Sequence, residues 1–139
     1  MIAETQNSPL RENREVDLDA IETVRSSIAQ LPPVEGEVEN TFTPGIMTRR
    51  WFGRAGCRYL SKIHKSRHQF VILQGAALVR HNGGPWIQMV APYHGITEPG
   101  TWRELFVLMD TVWLTMHPTD KTTVEEVEKD IIQSTEIEK

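Results

Sequence analysis

Three of the five histidines in this chain, His64, His68 and His117, stand at the starts or ends of strand-like segments. A neutral imidazole can ligate a transition metal, relay a proton, or satisfy a buried backbone group. Trp113, Thr115 and His117 alternate along the chain and so share one face of a strand, while Val112, Leu114 and Met116 share the other. Basic residues accompany the histidines: Lys62 lies just before His64, and Arg103 follows the turn at Pro99-Gly100. Cations so placed can receive a carboxylate or a phosphate. The residues alone leave a metal site, an anion site and a set of hydrogen-bonded core histidines all open.

Other chemistries lack their residues. Cys57 has no base placed beside it and no nucleophile elbow around it. There is no phosphate loop, no dinucleotide fingerprint and no paired-carboxylate motif. A net charge of −4 argues against bulk nucleic-acid binding, and no direct nucleic-acid partner is expected. The longest mainly apolar run, Phe70 to Val79, is broken by Gln74 and Gly75 and is too short to span a bilayer. The N-terminus is polar, without the apolar stretch of a signal peptide. A single cysteine excludes an internal disulfide and fits a reducing compartment.

Charge is unevenly spread. Arg49, Arg50, Arg54, Arg58, Lys62, Lys65 and Arg67 follow one another with no acid between them, whereas residues 120 to 139 hold seven acids against three lysines. These are either two solvated faces, or a basic segment of one subunit meeting an acidic surface on a neighbour.

The elements that would position these groups can be read from periodicity. Residues 1 to 14 are polar and aperiodic, so they are expected to be ordered only by a partner. Leu18, Ile21, Val24, Ile28 and Leu31 recur at helical spacing behind the N-cap Asp17, and Pro32-Pro33 stops the helix. Residues 34 to 48 read as an extended arm with a turn at Pro44-Gly45. Its apolar groups, Phe42 and Ile46 above all, are expected to be buried by a neighbouring subunit. Strands are predicted at Arg58–Ile63, Gln69–Leu73, Ala76–Arg80, Trp86–Val90, Glu104–Leu108 and Thr111–Met116, with a hairpin at His81-Asn82-Gly83-Gly84. Phe70, Ile72, Trp86, Phe106, Val112 and Leu114 are the expected buried positions, with Trp113 also in the core. Thr123 and Glu126 form a capping box ahead of a helix carrying Val124, Val127, Ile131 and Ile132. The chain divides into residues 1–45 (tail, helix and arm) and residues 46–139 (barrel with C-terminal helix).

The stretch KIHKSRHQFVILQG, residues 62 to 75, resembles the first motif of the cupins, in which H-x-H, a glutamate and a glycine follow in order. Aligned on Gly75, His68 takes the glutamate's position, His64 that of the second histidine, and Lys62 that of the first. EPGTWRELF resembles the second cupin motif, with Pro99 and Gly100 adjacent and Arg103 near the usual metal-binding histidine. More narrowly, His64, Lys65, His68, Gly75, Ala91, Pro92, Pro99, Gly100, Thr101, Arg103, Asp110, Thr111, Val112, Trp113, Thr115 and His117 resemble small cupin-like proteins of tailed bacteriophages, over roughly residues 46 to 133.

The resemblance implies a mainly β, cupin or jelly-roll antiparallel barrel with an N-terminal helix and arm and a C-terminal helix. It also implies that His64, His68 and His117 face the interior, where three imidazoles would suit Zn²⁺, Fe²⁺ or Ni²⁺. Lys62 and Arg103 at ligand positions oppose that by repulsion, and the cupin glutamate is missing. The first functional expectation is therefore a non-enzymatic virion subunit without a resident cofactor, made in the host cytoplasm. It would be a capsid cement or decoration protein, or a collar or tail protein, assembling with itself and with proteins such as the major capsid protein. The second is a metal-dependent dioxygenase, isomerase or epimerase using the three histidines. The third is a sensor of a small anion, with Lys62, Arg103, Arg49 and Arg50 as contacts.

Overall fold

A computed structural model describes residues 16–31 and 37–133. The expected polar tail, residues 1 to 14, lies outside the described residues. Nine strands and two helices follow in the order α1 (Leu18–Ala29), β1 (Glu37–Thr43), β2 (Ile46–Gly53), β3 (Arg58–Leu60), β4 (Ile63–His64), β5 (His68–His81), β6 (Trp86–Val90), β7 (Tyr93–Thr97), β8 (Arg103–Pro118), α2 (Val124–Ile131) and β9 (Ile132–Gln133). All pairings are antiparallel. The expected antiparallel β fold with a helix on either side is what the chain forms.

Two long strands carry the architecture. β5 and β8 pair from Gln69 opposite Met116 to His81 opposite Arg103. On its other edge, β5 pairs first with β7 and then with β6. Likewise β8 pairs with β3 near its start and with β2 near its end. A strand that changes partner halfway must bend, and the β5–β8 register shifts three times between Ile72 and Ala77. Gly75 sits in this bend at φ +93°, where a Cβ would strike the backbone oxygen of Asp110 and the Thr111 side chain. The predicted strand pairs Gln69–Leu73 with Ala76–Arg80, and Glu104–Leu108 with Thr111–Met116, are thus each one bent strand: the irregularities mimic turns in the sequence but keep the chain extended.

The arm expected at residues 34 to 48 is corrected. Glu37–Thr43 pairs residue for residue with β2, closing a hairpin over Pro44-Gly45. Backbone groups that would have needed a neighbour are satisfied within the chain. The division at residue 45 falls in this hairpin turn, so β1 belongs with the barrel. Phe42 remains 37% exposed and Ile46 is half-buried in the single chain.

Both helices dock on the same barrel. Asp17 caps α1 by accepting from the Ala20 amide at 3.0 Å, and Ile21 packs with Ile63 and the fully buried Trp102. Trp102 therefore anchors α1. Thr123 caps α2, whose Val127 and Ile131 pack on Met47 of β2. The main core joins Trp51, Phe70, Ile72, Val79, Met89, Leu105, Val107 and Trp113. Trp86 and Phe106 depart from expectation at 42% and 37% exposed, and Leu114 is half-buried. Arg103, Leu105 and Val107 take the inner face of β8, which leaves Phe106 outside. Trp86 lies on edge strand β6, its ring 5.1 Å from the Arg80 guanidinium.

Gly75→Ala should lower the unfolding free energy by about 3 kcal/mol or more, since a positive φ adds to a backbone clash. Gly45 also has φ +80°, but a Cβ there meets nothing within 4 Å. Gly45→Ala should therefore cost about 1–2 kcal/mol. Urea unfolding followed by circular dichroism tests the order, and equal losses would mean the β5–β8 crossing is not tight.

Candidate functional site

β4, the start of β5 and the end of β8 bring the three predicted histidines together. The His64 backbone is fixed by hydrogen bonds to the 98–101 turn: its amide donates to Thr101 O at 3.0 Å and its carbonyl accepts from Gly100 N at 2.8 Å. The ladder placing Gln69 opposite Met116 sets His68 beside His117. Ring centroids are 4.9 Å apart for His64–His68 and 4.3 Å for His68–His117. Nδ1 of His68 lies 3.0 Å from the Ser66 carbonyl, which can only accept, so this nitrogen carries the proton and Nε2 keeps its lone pair. His117 contacts Thr115 Oγ1 through Nε2 at 2.8 Å. Of the other four ring nitrogens, His64 Nδ1, His68 Nε2 and His117 Nδ1 are buried and have no hydrogen-bond partner among the described residues.

Burial holds these rings neutral. His64 is pushed well below the usual histidine range, first by desolvation and then by His68, Arg103 and His117. His68 falls to about 4, with desolvation the leading cause, and His117 to about 3 for the same reason. His68 Nε2 is thus an unprotonated donor suited to a divalent transition metal, and neutral His64 and His117 can each offer one ring nitrogen in the matching tautomer. Among the described residues no group of three or more His, Cys, Asp or Glu is already arranged to hold a metal ion. The chemistry of a ligand set is present, and the rings would have to turn toward one another to use it.

The predicted basic residues separate into three situations. Lys62 is 62% exposed and its ammonium lies 3.6 Å from Glu128. Arg49 donates to Glu128 at 3.0 Å and to Asn40 at 2.8 Å. Arg50 occupies the opposite face of β2 from Arg49. Arg103 is buried inside the barrel: Nε donates to His81 Nε2 at 3.1 Å and Nη2 to Thr97 Oγ1 at 2.9 Å. Its guanidinium lies 4.8 Å from the Phe70 ring centre and 5.6 Å from that of Trp113. Burial lowers Arg103 to about 9, so it stays cationic at neutral pH. The basic and acidic stretches of the sequence meet within one chain, at Glu128 and at the Lys129 carbonyl, which accepts from Lys65 at 2.6 Å.

Histidines and arginines share the wall of a cavity of about 310 Å³. His64, His117, Arg103, Trp113 and Leu105 line it, with Arg49, Lys62 and Glu128. Sequence reasoning missed Trp51 and Tyr59, which line the same space with rings 4.9 Å apart. The alternation Arg49, Trp51 along one strand face carried that signal. His81 was missed as Arg103's acceptor, because it reads as a hairpin residue. β1 forms one lip, through Val38 and Asn40.

Neither a family model nor a curated protein matches the sequence. Solved structures do match in shape. An uncharacterised conserved protein with a double-stranded β-helix domain from Klebsiella pneumoniae aligns at TM-score 0.53 and 17% identity, over 88% of this chain and 93% of that one. A cupin 2 domain-containing protein from Halorhodospira halophila aligns at 0.52 and 13%, over 68% and 70%. The Cnp3 cupin domain of Schizosaccharomyces pombe aligns at 0.50 and 18%, over 74% and 71%.

The fold is that of the cupins. In this barrel His68 and His117 are buried and His64 is half-buried.

The buried histidines have a consequence for stability. His68 and His117, together with His81 at about 3, titrate lower in the folded chain than in the unfolded one, where the ordinary value is 6.5. Between these values the unfolded chain binds more protons, so stability is complete above pH 6.5 and falls as pH drops toward 4. Each such group contributes a slope of up to about 1.4 kcal/mol per pH unit. Urea midpoints measured across this window should fall steeply on the acid side. His81→Gln, which keeps an acceptor for Arg103 but cannot titrate there, should make the slope shallower.

Proposed function

We propose that this cupin binds a small organic ligand in its barrel cavity, beside a transition metal held by His64, His68 and His117. One observation carries the reading: three buried imidazole nitrogens have no partner among the described residues, and two of their rings, His64 and His117, line a cavity large enough for a ligand. An unsatisfied buried polar group costs roughly 1–3 kcal/mol. A chain serving only as scaffold would be more stable with apolar residues at these three positions. A divalent ion bound there supplies Lewis acidity. The chain's own groups do the rest. Trp51, Leu105 and Trp113 exclude water from one wall, and Arg103 presents positive charge inside. The Arg49–Glu128–Lys62 group sets where α2 sits beside the cavity.

A dioxygenase, isomerase or epimerase would each be compatible with such a cavity. The virion-subunit reading draws on the sequence resemblance to phage proteins. Its structural support is the outer edge of β1, which ends the sheet order and exposes Val38 at 53%. An unpaired edge can accept a further strand from a neighbour, and this would cover Phe42 as well.

Cobalt(II) titration of chelator-treated protein separates the two. The metal reading expects one equivalent bound with absorption bands of a low-coordinate site, and at least about tenfold weaker binding in His68→Ala and in His117→Ala. Saturation at about 100 times Kd should raise stability by about 2.7 kcal/mol. Absence of stoichiometric cobalt, together with large oligomers broken by Val38→Lys, would turn the conclusion toward assembly.

A further inference from the structure

We infer that the ligand of this cavity carries a carboxylate and that Arg103 receives it. The inference rests on the reading of the barrel as a small-ligand site, but not on the metal.

A buried ion without a counter-charge costs several kcal/mol even after relaxation. Arg103 is 3% exposed. The groups around it are neutral at pH 7: His81, which accepts through an unprotonated nitrogen, Thr97, the rings of Phe70 and Trp113, and the nearby Tyr93, whose phenol burial pushes up. Hydrogen bonds and ring faces offset part of the penalty, but none of them supplies a negative charge. The carboxylate nearest in sequence, Glu104, lies on the other face of β8, where Arg58 at 2.7 Å and Arg80 at 3.8 Å engage it. The carboxylate on the cavity wall, Glu128, is already shared by Arg49 and Lys62. Among the described residues no carboxylate pairs with Arg103.

The charge on the wall is therefore unbalanced: three cations, Arg49, Lys62 and Arg103, against the single carboxylate of Glu128. Lys62 is largely exposed, so water screens its share. The uncompensated charge that matters is the guanidinium inside. A planar fork favours a planar carboxylate, which it can bind through two parallel hydrogen bonds. One buried cation matches a monoanion. Trp51 and Trp113 line the adjoining space and suit an apolar or aromatic body attached to that carboxylate. At about 310 Å³, the cavity is at the small end of the usual range for ligand sites, roughly 300–1,000 Å³.

Titration of the metal-stripped protein with benzoate, benzamide and inorganic phosphate, followed by tryptophan fluorescence, tests this, because Trp113 lies close to the guanidinium. The expected result is a saturable change with benzoate, binding at least about tenfold tighter than benzamide, a difference of about 1.4 kcal/mol. Arg103→Met should abolish that preference. Should Arg103→Met fail to fold, Arg103→Lys keeps the charge without the fork and should bind benzoate more weakly than wild type, with its preference over benzamide reduced. Benzamide binding as tightly as benzoate, phosphate binding more tightly than benzoate, or no saturable change with benzoate at millimolar concentration would each overturn the inference. Cobalt titration of the same preparation keeps the two conclusions apart. Benzoate binding without cobalt binding sinks the metal reading alone, and cobalt binding with equal affinity for benzoate and benzamide sinks the carboxylate alone.

Discussion

The pairing of β5 with β8 is the constraint on which everything else depends. One ladder runs from Gln69–Met116 to His81–Arg103, so each of its ends builds part of the site. At one end it sets His68 against His117; at the other it sets His81 where it can accept from Arg103. The bend at Gly75 lets both ends belong to one barrel, since each strand must leave one partner and take another at that point. A register slip of one residue would turn His117 and Arg103 to the outside together. Strand pairing and site assembly are thus the same event.

The second layer of organisation is electrostatic and lies at the mouth. Glu128 of α2 gathers Arg49 from β2 and Lys62 from the segment before β4. Partly exposed pairs of this kind contribute little to stability individually. The apolar contact of Val127 and Ile131 with Met47 does the holding, and the charges set where the helix sits. What the sequence displays as a basic run and an acidic tail is partly a clasp between α2 and the barrel, across the cavity's edge.

The sequence was legible where a local rule had a local cause. The caps at Asp17 and Thr123 follow from side chains reaching backbone amides a few residues away, and both helices begin where those residues imply. The alternation Trp113, Thr115, His117 gives the inner face of β8 directly. It failed where the cause was tertiary. Gly75 and the Met109–Asp110 stretch look like turns because the bulge that bends a strand uses the residues that end one. β1 looked like a free arm because its partner, β2, carries charged residues in place of a hydrophobic alternation. Trp86 and Phe106 were placed inside from size and strand context, whereas edge position and strand phase leave them outside. The histidine cluster was reachable only through the motif resemblance, since nothing in the spacing of His64 and His68 brings them to His117. The isolation of Arg103 from any carboxylate among the described residues was not reachable at all, because it depends on which face each acid occupies.

Unpaired polar groups do not persist in cores by default. Mutation would readily replace three imidazoles that each leave a nitrogen unpaired, or a guanidinium with no carboxylate partner among the described residues, with apolar residues of similar size, and the fold would gain stability by it. Here most such groups gather at one cavity: His64, His117 and Arg103 line it and His68 lies beside His117, while Glu104, whose Oε1 also lacks a hydrogen bond, keeps ion pairs to Arg58 and Arg80. If poor packing alone were responsible, unsatisfied groups would be scattered over the core. Their concentration at one cavity is what supports the proposal of a site whose partners come from outside the chain. The imidazoles lack an electron-pair acceptor and the guanidinium lacks an anion, so a bound cation and a bound carboxylate would each supply what the other's neighbours cannot.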